Sequence, residues 1–462
     1  MSAVLPGRSV NAVLEGLASN PALPGHLLDR LVTRPELAWE LASRNDLSSD
    51  HVRALLAHGD SAVVSELLFK GLARPENVPI PDESVALAVV EHPDADPALA
   101  RVLAFHPDPA IRSRLPEWAH HLAPDVVDLL AADPDPEVVA GLVTFHAVPP
   151  ALALSLSRHP SPDVRRALAA SPHTPPAVLA RLGPSAAREL ASNPSTPAAL
   201  AAELVRHHEA RYFLASRPDL PPAVYEQLAS EIEPGPLSAL AVNPAVPVAV
   251  LRRLSGVLRR LSGVLRNPAI PLDLLVELAP SARVGSAEVL PRIASASEAE
   301  LRALAGSSAT QVRLMVAMRP DLPLDLVHRF ARDPDPSVAT AVAAHPSLTG
   351  AQLRDLVSRC GARSHPRVAV NPSCPADLLH HMALRAAGAG STCRAIAGNP
   401  AASGETLLLC LEDARARHLA AAHPNLPVAV VVEMLGSEFT ASAAAANPSL
   451  PVPVMEELVN GT

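Results

Sequence analysis

Cysteine, histidine and repeated aspartate are the residue types in this chain that could do chemistry. The four cysteines Cys360, Cys374, Cys393 and Cys410 are separated by 14, 19 and 17 residues, whereas thiolate metal sites are built on close pairs such as C-x2-C. Cys410 also falls in a column that is leucine elsewhere, where a small buried hydrophobe fits. No metal, iron–sulfur cluster or other cofactor is therefore expected. Of the 19 histidines, His92, His106, His159, His345, His365 and His423 directly precede proline, which could be read as a metal-binding ladder. The same position carries Asn193, Asn243, Asn267, Asn371, Asn399 and Asn447 elsewhere, and Arg in other copies. A column that accepts Asn, His and Arg selects a side chain that hydrogen-bonds a turn. The pairs His120–His121, His207–His208 and His380–His381 point to different sides of a helix. The acids of Asp-Pro-Asp-Pro (Asp133, Asp135, Asp333, Asp335) recur as helix starts, where negative charge complements the helix dipole, and are not expected to catalyse.

A phosphate-binding loop is excluded, because no G-x-x-x-x-G-K-S/T occurs and Lys70, the only lysine, lies in LLFKGLARP. One basic feature stands apart. RRLSGVLRRLSGVL (252–265) is a tandem heptad, and Arg252, Arg253, Arg259, Arg260 and Arg266 cluster with no acid between Ala245 and Leu272. Residues seven apart lie on one side of a helix, so these arginines form a candidate basic edge for an acidic peptide or a nucleic-acid phosphate. The bland and preferred reading is a short duplication tolerated on a solvated face. Arg53, Arg165 and Arg313, in Val-Arg pairs, are expected to lie over neighbouring helices.

The elements that hold these residues are set by proline. The 462 residues include 50 prolines and are 48% hydrophobic but only 2% aromatic, so a core must be built from Ala, Val and Leu in thin elements. Segments such as NPALPGHLLDRL from Asn20, SPHTPPAVLARL from Ser171, NPAVPVAVLRRL from Asn243 and NPSLPVPVMEEL from Asn447 repeat one pattern. Their first prolines, Pro172, Pro194, Pro218, Pro244 and Pro268, are 22, 24, 26 and 24 apart; Pro320, Pro346, Pro372, Pro400, Pro424 and Pro448 are 26, 26, 28, 24 and 24 apart. The interval of 52 from Pro268 to Pro320 hides one more copy, IASASEAELRAL, whose Ser297 and Glu300 form a capping box. Thr349 with Gln352, Ser403 and Ser49 are read at the same column. The second proline thus marks a helix start, at the first helical position, and the first ends the helix before it. Leu31, Leu56, Leu156, Leu182, Leu278, Phe330, Met382 and Leu458 stand ten residues after their anchors and are expected to face inward. A second helix follows, opened by Asp-Pro or Ser-Pro, with Val338, Val164 or Ile111 turned inward.

Helices this short do not persist alone and must lean on the neighbouring repeats. The fold expected is all-α: an α-solenoid of ~24–26-residue two-helix repeats without β-sheet, running as one domain over 1–462 with about 18 repeats. The pattern is least regular over 57–133, read as a distorted part of the same stack, and 447–462 is expected to be a C-terminal capping repeat.

The consensus N-P-x-x-P-x-x-L-L-x-x-L followed by D-P-D-P-x-V-R, clearest at 158–182 and 319–346, resembles the variant leucine-rich repeat family. The resemblance implies alternating α- and 3₁₀-helices in a right-handed superhelix. DPDPSV and SPDVRRAL also resemble HEAT-type repeats, the runner-up. The variant family's N-terminal cysteine cluster for an iron–sulfur centre has no counterpart here, because no cysteine precedes Cys360, so the resemblance carries over a fold and no cofactor.

Net charge of −9 and a pI of about 6.1 argue against general nucleic-acid attraction. No window is apolar enough for a membrane span, and dispersed cysteines without a signal-peptide pattern suggest a reducing cytoplasm. With no catalytic constellation, the expectation is a non-enzymatic scaffold that binds a protein partner along its curved face; the alternative is a HEAT-like nucleic-acid or anion binder using the Arg252–Arg266 edge, and a further one, disfavoured by the cysteine spacing, is an iron–sulfur or metal-bearing repeat protein.

Overall fold

The computed structural model describes residues 7–231, 233–257, 262–281, 289–386 and 390–461. Every regular element among them is a helix, and short helices pack in succession as an all-α solenoid. Both helices of most units are α, and 3₁₀ geometry is confined to pieces of three or four residues, such as Pro184–Ala186 leading into Ala187–Ser192.

Residues 319–346 show how the sequence builds one unit. Pro323 stands at the N-cap of Leu324–Phe330 with ψ 139°, and its carbonyl accepts from the Leu326 and Val327 N–H groups at 2.9 and 3.1 Å. Leu326, Val327 and Phe330 are buried, one stripe of a two-turn helix. Asp335 then caps Pro336–Ala341 by accepting from the Ser337 N–H at 2.8 Å, with Pro336 in the first turn and Val338 and Ala339 buried. Val164 is fully buried in its own unit, and Ile111 packs partly buried against the core.

Two expectations shift by one position. The second proline occupies the N-cap itself, as at Pro197, Pro271, Pro375 and Pro427, and not the first helical position. The capping boxes at the same column give the physical reason. Ser297 and Thr349 each donate their backbone N–H to Glu300 and Gln352, at 2.8 and 2.9 Å, and accept in return at 3.3 Å. Proline has no N–H to satisfy there and already holds φ near −60°, so it caps without a partner side chain. At the start of the chain the cap is Ser48 and not Ser49, in a box with His51, which sets that repeat's anchor at Asn45. Arg44 then takes the column that asparagine fills elsewhere.

The described residues fall into two compact units. One takes in the described residues of 59–281 and 290–295, the other those of 7–58, 289 and 296–461. In the first, the irregular stretch is still a succession of helices (Ser61–Phe69, Glu83–Val90, Pro97–Ala104, Pro109–Trp118 and Pro124–Ala131) around a core that includes Leu87, Leu103, Leu115 and Leu130. Val85 to Val90 are all buried, which is why the half-apolar repeat pattern fades there. In the second, the helix Gly7–Ala18 packs against Ala441–Ala445, so the C-terminal repeat at 447–462 does not end the stack but carries the first repeat on its outer side. The approach is close: a Cβ on Gly16 would lie 2.0 Å from the Ser442 carbonyl oxygen.

Candidate functional site

The residues before proline form a buried ladder. Asn193 Nδ2 donates to the carbonyls of Ala169 and Ser171 at 2.7 and 2.8 Å, and its Oδ1 accepts from the Ser195 N–H at 2.8 Å. Asn243, Asn267, Asn371, Asn399 and Asn447 make the same three bonds, two to the preceding repeat and one to their own turn. Arg217 reaches the carbonyls of Asn193 and Thr196 in the same role, and His423 donates from Nε2 to Asn399 O at 3.1 Å while Nδ1 accepts from the Asn425 N–H. His92, His106, His159 and His345 likewise accept a turn N–H at Nδ1. The turn role is in place at these positions but not at His365, which opens the helix His365–Val370 instead of closing a turn. The link to the previous repeat was not visible from the pattern.

A second ladder crosses the Asp-Pro halves. Arg112 donates to the His106 carbonyl at 2.7 Å and pairs with Asp133 of the next repeat, Nε to Oδ2 at 2.7 Å; Arg313 repeats this on Ser307 O and Asp333. The first aspartate of each Asp-Pro-Asp-Pro thus bridges repeats and the second caps a helix, as Asp135 does for Glu137 N–H. The Arg112 hydrogen bond holds Asp133 below the ordinary carboxylate range. Arg165 fastens the His159 and Pro160 carbonyls of its own loop, whereas Arg53 is exposed and pairs with Asp50 on its own helix.

Cys374, Cys393 and Cys410 are buried and Cys360 is half-buried, all as free thiols. Burial pushes the Cys374 and Cys410 thiols up to about 12, so both sit as neutral core residues. Among the described residues no group of three His, Cys, Asp or Glu is placed to hold a metal, and no helix is long and apolar enough to cross a membrane.

The arginine edge is divided. The helix Val248–Val257 carries the first heptad copy and Ser262–Leu265 the end of the second, while Arg259 and Arg260 lie outside the described residues. Arg252 is paired with Asp273 at 2.6 Å and Glu277 at 3.5 Å, acids supplied by the next repeat, and Arg253 donates to the Glu226 carbonyl at 3.4 Å. Arg266 lies just beyond the second helix, at the turn before Asn267.

A different surface brings basic and apolar groups together. The second helices His365–Val370, Gly390–Ala397 and Arg417–Ala422 line a groove of about 640 Å³ into which Arg367, Arg394 and Arg415 open, one from each of three successive repeats. Two residues ahead of the anchor prolines stand Ala344, Val370 and Gly398, so the floor is shallow, with an exposed valine in it. None of the described lining residues is acidic; Asp413 sits at the margin beside Gly390, accepting the Arg415 N–H at 2.8 Å. These arginines were passed over in the sequence because they are spaced 27 and 21 residues apart, and only the stacking makes them neighbours.

No protein-family model matches this chain, and no curated protein matches it.

Proposed function

We propose that the chain is a non-enzymatic repeat scaffold, of the variant leucine-rich repeat kind, that works in a reducing cytoplasm and binds an acidic protein segment along the second-helix face of its C-terminal repeats. The observation that carries this reading is the groove of Arg367, Arg394 and Arg415 over Ala344, Val370 and Gly398. Three guanidinium groups at repeat spacing suit an extended segment with spaced carboxylates, and small floor residues let its backbone come close. The ladders support a scaffold role from the other side, because most chemistry-bearing residues are consumed in joining repeats.

The test is fluorescence anisotropy with acidic peptides carrying apolar residues between the acids. Binding should weaken with salt and fall at least about tenfold in the Arg367→Glu/Arg394→Glu/Arg415→Glu variant, since each lost charged contact is worth about 1 kcal/mol or more. Equal affinity in the triple variant would refute the reading. The nucleic-acid alternative on the Arg252 edge is the weaker one, since Arg252 is already satisfied by Asp273 and Glu277.

A further inference from the structure

A second cleft, of about 750 Å³, opens on the first-helix side of the same repeats, between Gly350–Cys360 and Ala376–Leu384. It exists because Gly350–Cys360 runs eleven residues where most first helices run seven to nine, and ends at Gly361 with φ +63°. That left-handed turn lets the chain fold back through Gly361–Ser364 into His365. His365 is 96% buried, its relative exposure being 4%. Unlike His423, which closes a second helix, His365 opens one; its ring makes no hydrogen bond among the described residues, and it lines the cleft. An imidazole carries one N–H and one lone pair; here both are open to the solvent of the cleft, where either can be given to a ligand.

The surrounding charges say which ligand. Arg354, Asp377, His381 and Arg385 are the other ionisable groups of the cleft. Asp377 is already taken by Arg354, whose Nη2 reaches both carboxylate oxygens at 2.9 and 2.8 Å. Arg385 Nη1 lies against both ring nitrogens of His381, 2.6 Å from Nδ1, and among the described residues no carboxylate pairs with it. Burial, with His381 and Arg385 close by, pushes His365 below its ordinary value, so it is a neutral donor next to an uncompensated cation. Val357, Ala362 and Leu378 supply apolar wall.

We propose that this cleft is an oxyanion-binding site, in which the Arg385 guanidinium and the His365 imidazole N–H together receive a phosphate or carboxylate group. The planar fork of arginine matches the paired oxygens of either group, and a bound negative charge reverses the local excess of positive charge that now disfavours protonation of His365. Binding therefore draws the His365 pKa upward.

The experiment uses the full-length protein with two probes, inorganic phosphate and succinate, by titration calorimetry and by NMR of the histidine side chains. The expected result is saturable millimolar or tighter binding of at least one probe, a shift of the His365 ring signals on saturation, and about tenfold weaker binding in Arg385→Gln. Arg385 is exposed, so that variant should keep the parent's unfolding midpoint, and Arg363→Gln, outside the cleft, should bind as the parent does. Whichever probe binds more tightly identifies the group. Saturation by neither probe, binding unchanged in Arg385→Gln, or binding that leaves the His365 signals in place would overturn the proposal.

Discussion

Asn20 donates from Nδ2 to the carbonyl oxygen of Ala445 at 2.7 Å and to that of Asn447 at 2.8 Å, across 425 and 427 residues of chain. These are the bonds that Asn447 makes to Ala421 and His423 in the repeat before it. The first repeat thus treats the last as its predecessor. His26 with Glu456 and Arg30 with Asn460 extend the contact along the neighbouring helices.

Removing a rung should cost more than a surface hydrogen bond. Asn243→Ala or Asn20→Ala leaves two buried carbonyls and a turn N–H without partners, and each such group costs about 1–3 kcal/mol. Either variant should lower the unfolding free energy by at least about 2 kcal/mol in a denaturant titration. Gly16→Ala should weaken the terminal contact similarly, since the added methyl meets the Ser442 backbone, which cannot step aside.

His423 makes one rung sensitive to pH. Burial holds its pKa below the ordinary histidine value, so its contribution is full above about 6.5 and is lost as pH falls from there toward the folded pKa. Protonation of Nδ1 also breaks the Asn425 N–H bond. His423→Asn reproduces every bond with an amide that does not titrate. The variant should match the parent at pH 8 and be more stable than it at pH 5, as read from unfolding midpoints at both values.

The bridge between Arg112 and Asp133 should behave as a coupled pair. Both side chains are mostly buried, so a double-mutant cycle of Arg112→Met and Asp133→Asn should give a coupling energy of about 1–3 kcal/mol. Because Asp133 has a depressed pKa, its contribution is present above about pH 4 and disappears as pH falls below that. Acid titration of the parent against Asp133→Asn checks the sign.

Thiol labelling should separate the cysteines. Cys360 is half-buried, whereas Cys374 and Cys410 are buried and barely ionised at neutral pH. A disulfide reagent at pH 7 should modify Cys360 first and reach Cys374 and Cys410 only as the protein unfolds. Prompt labelling of Cys410 in the native protein would contradict its place in the leucine column.

Much of this was legible in the chain because the repeat makes each feature appear many times. Proline and serine alternating in one column gave away the helix starts, and the Asn, His and Arg column gave away the turn. The one-residue shift at Pro323 was hidden because proline fits both an N-cap and a first turn, and that at Ser48 because two serines stand side by side. The groove of Arg367, Arg394 and Arg415, the lone ring of His365 and the partner of Asn20 were hidden for a different reason. Each depends on which distant residues the stacking brings together, and a spacing pattern does not encode that.

The contact of the first repeat with the last is the strongest claim and has a direct measurement. Spin labels on His26→Cys and Glu456→Cys, in a cysteine-free background, report the distance between two side chains whose atoms approach to 3.2 Å. The expected result is a narrow, short distance distribution that persists when labelled protein is diluted with unlabelled protein. A broad, long distribution, or a short distance that vanishes on dilution, would contradict the account.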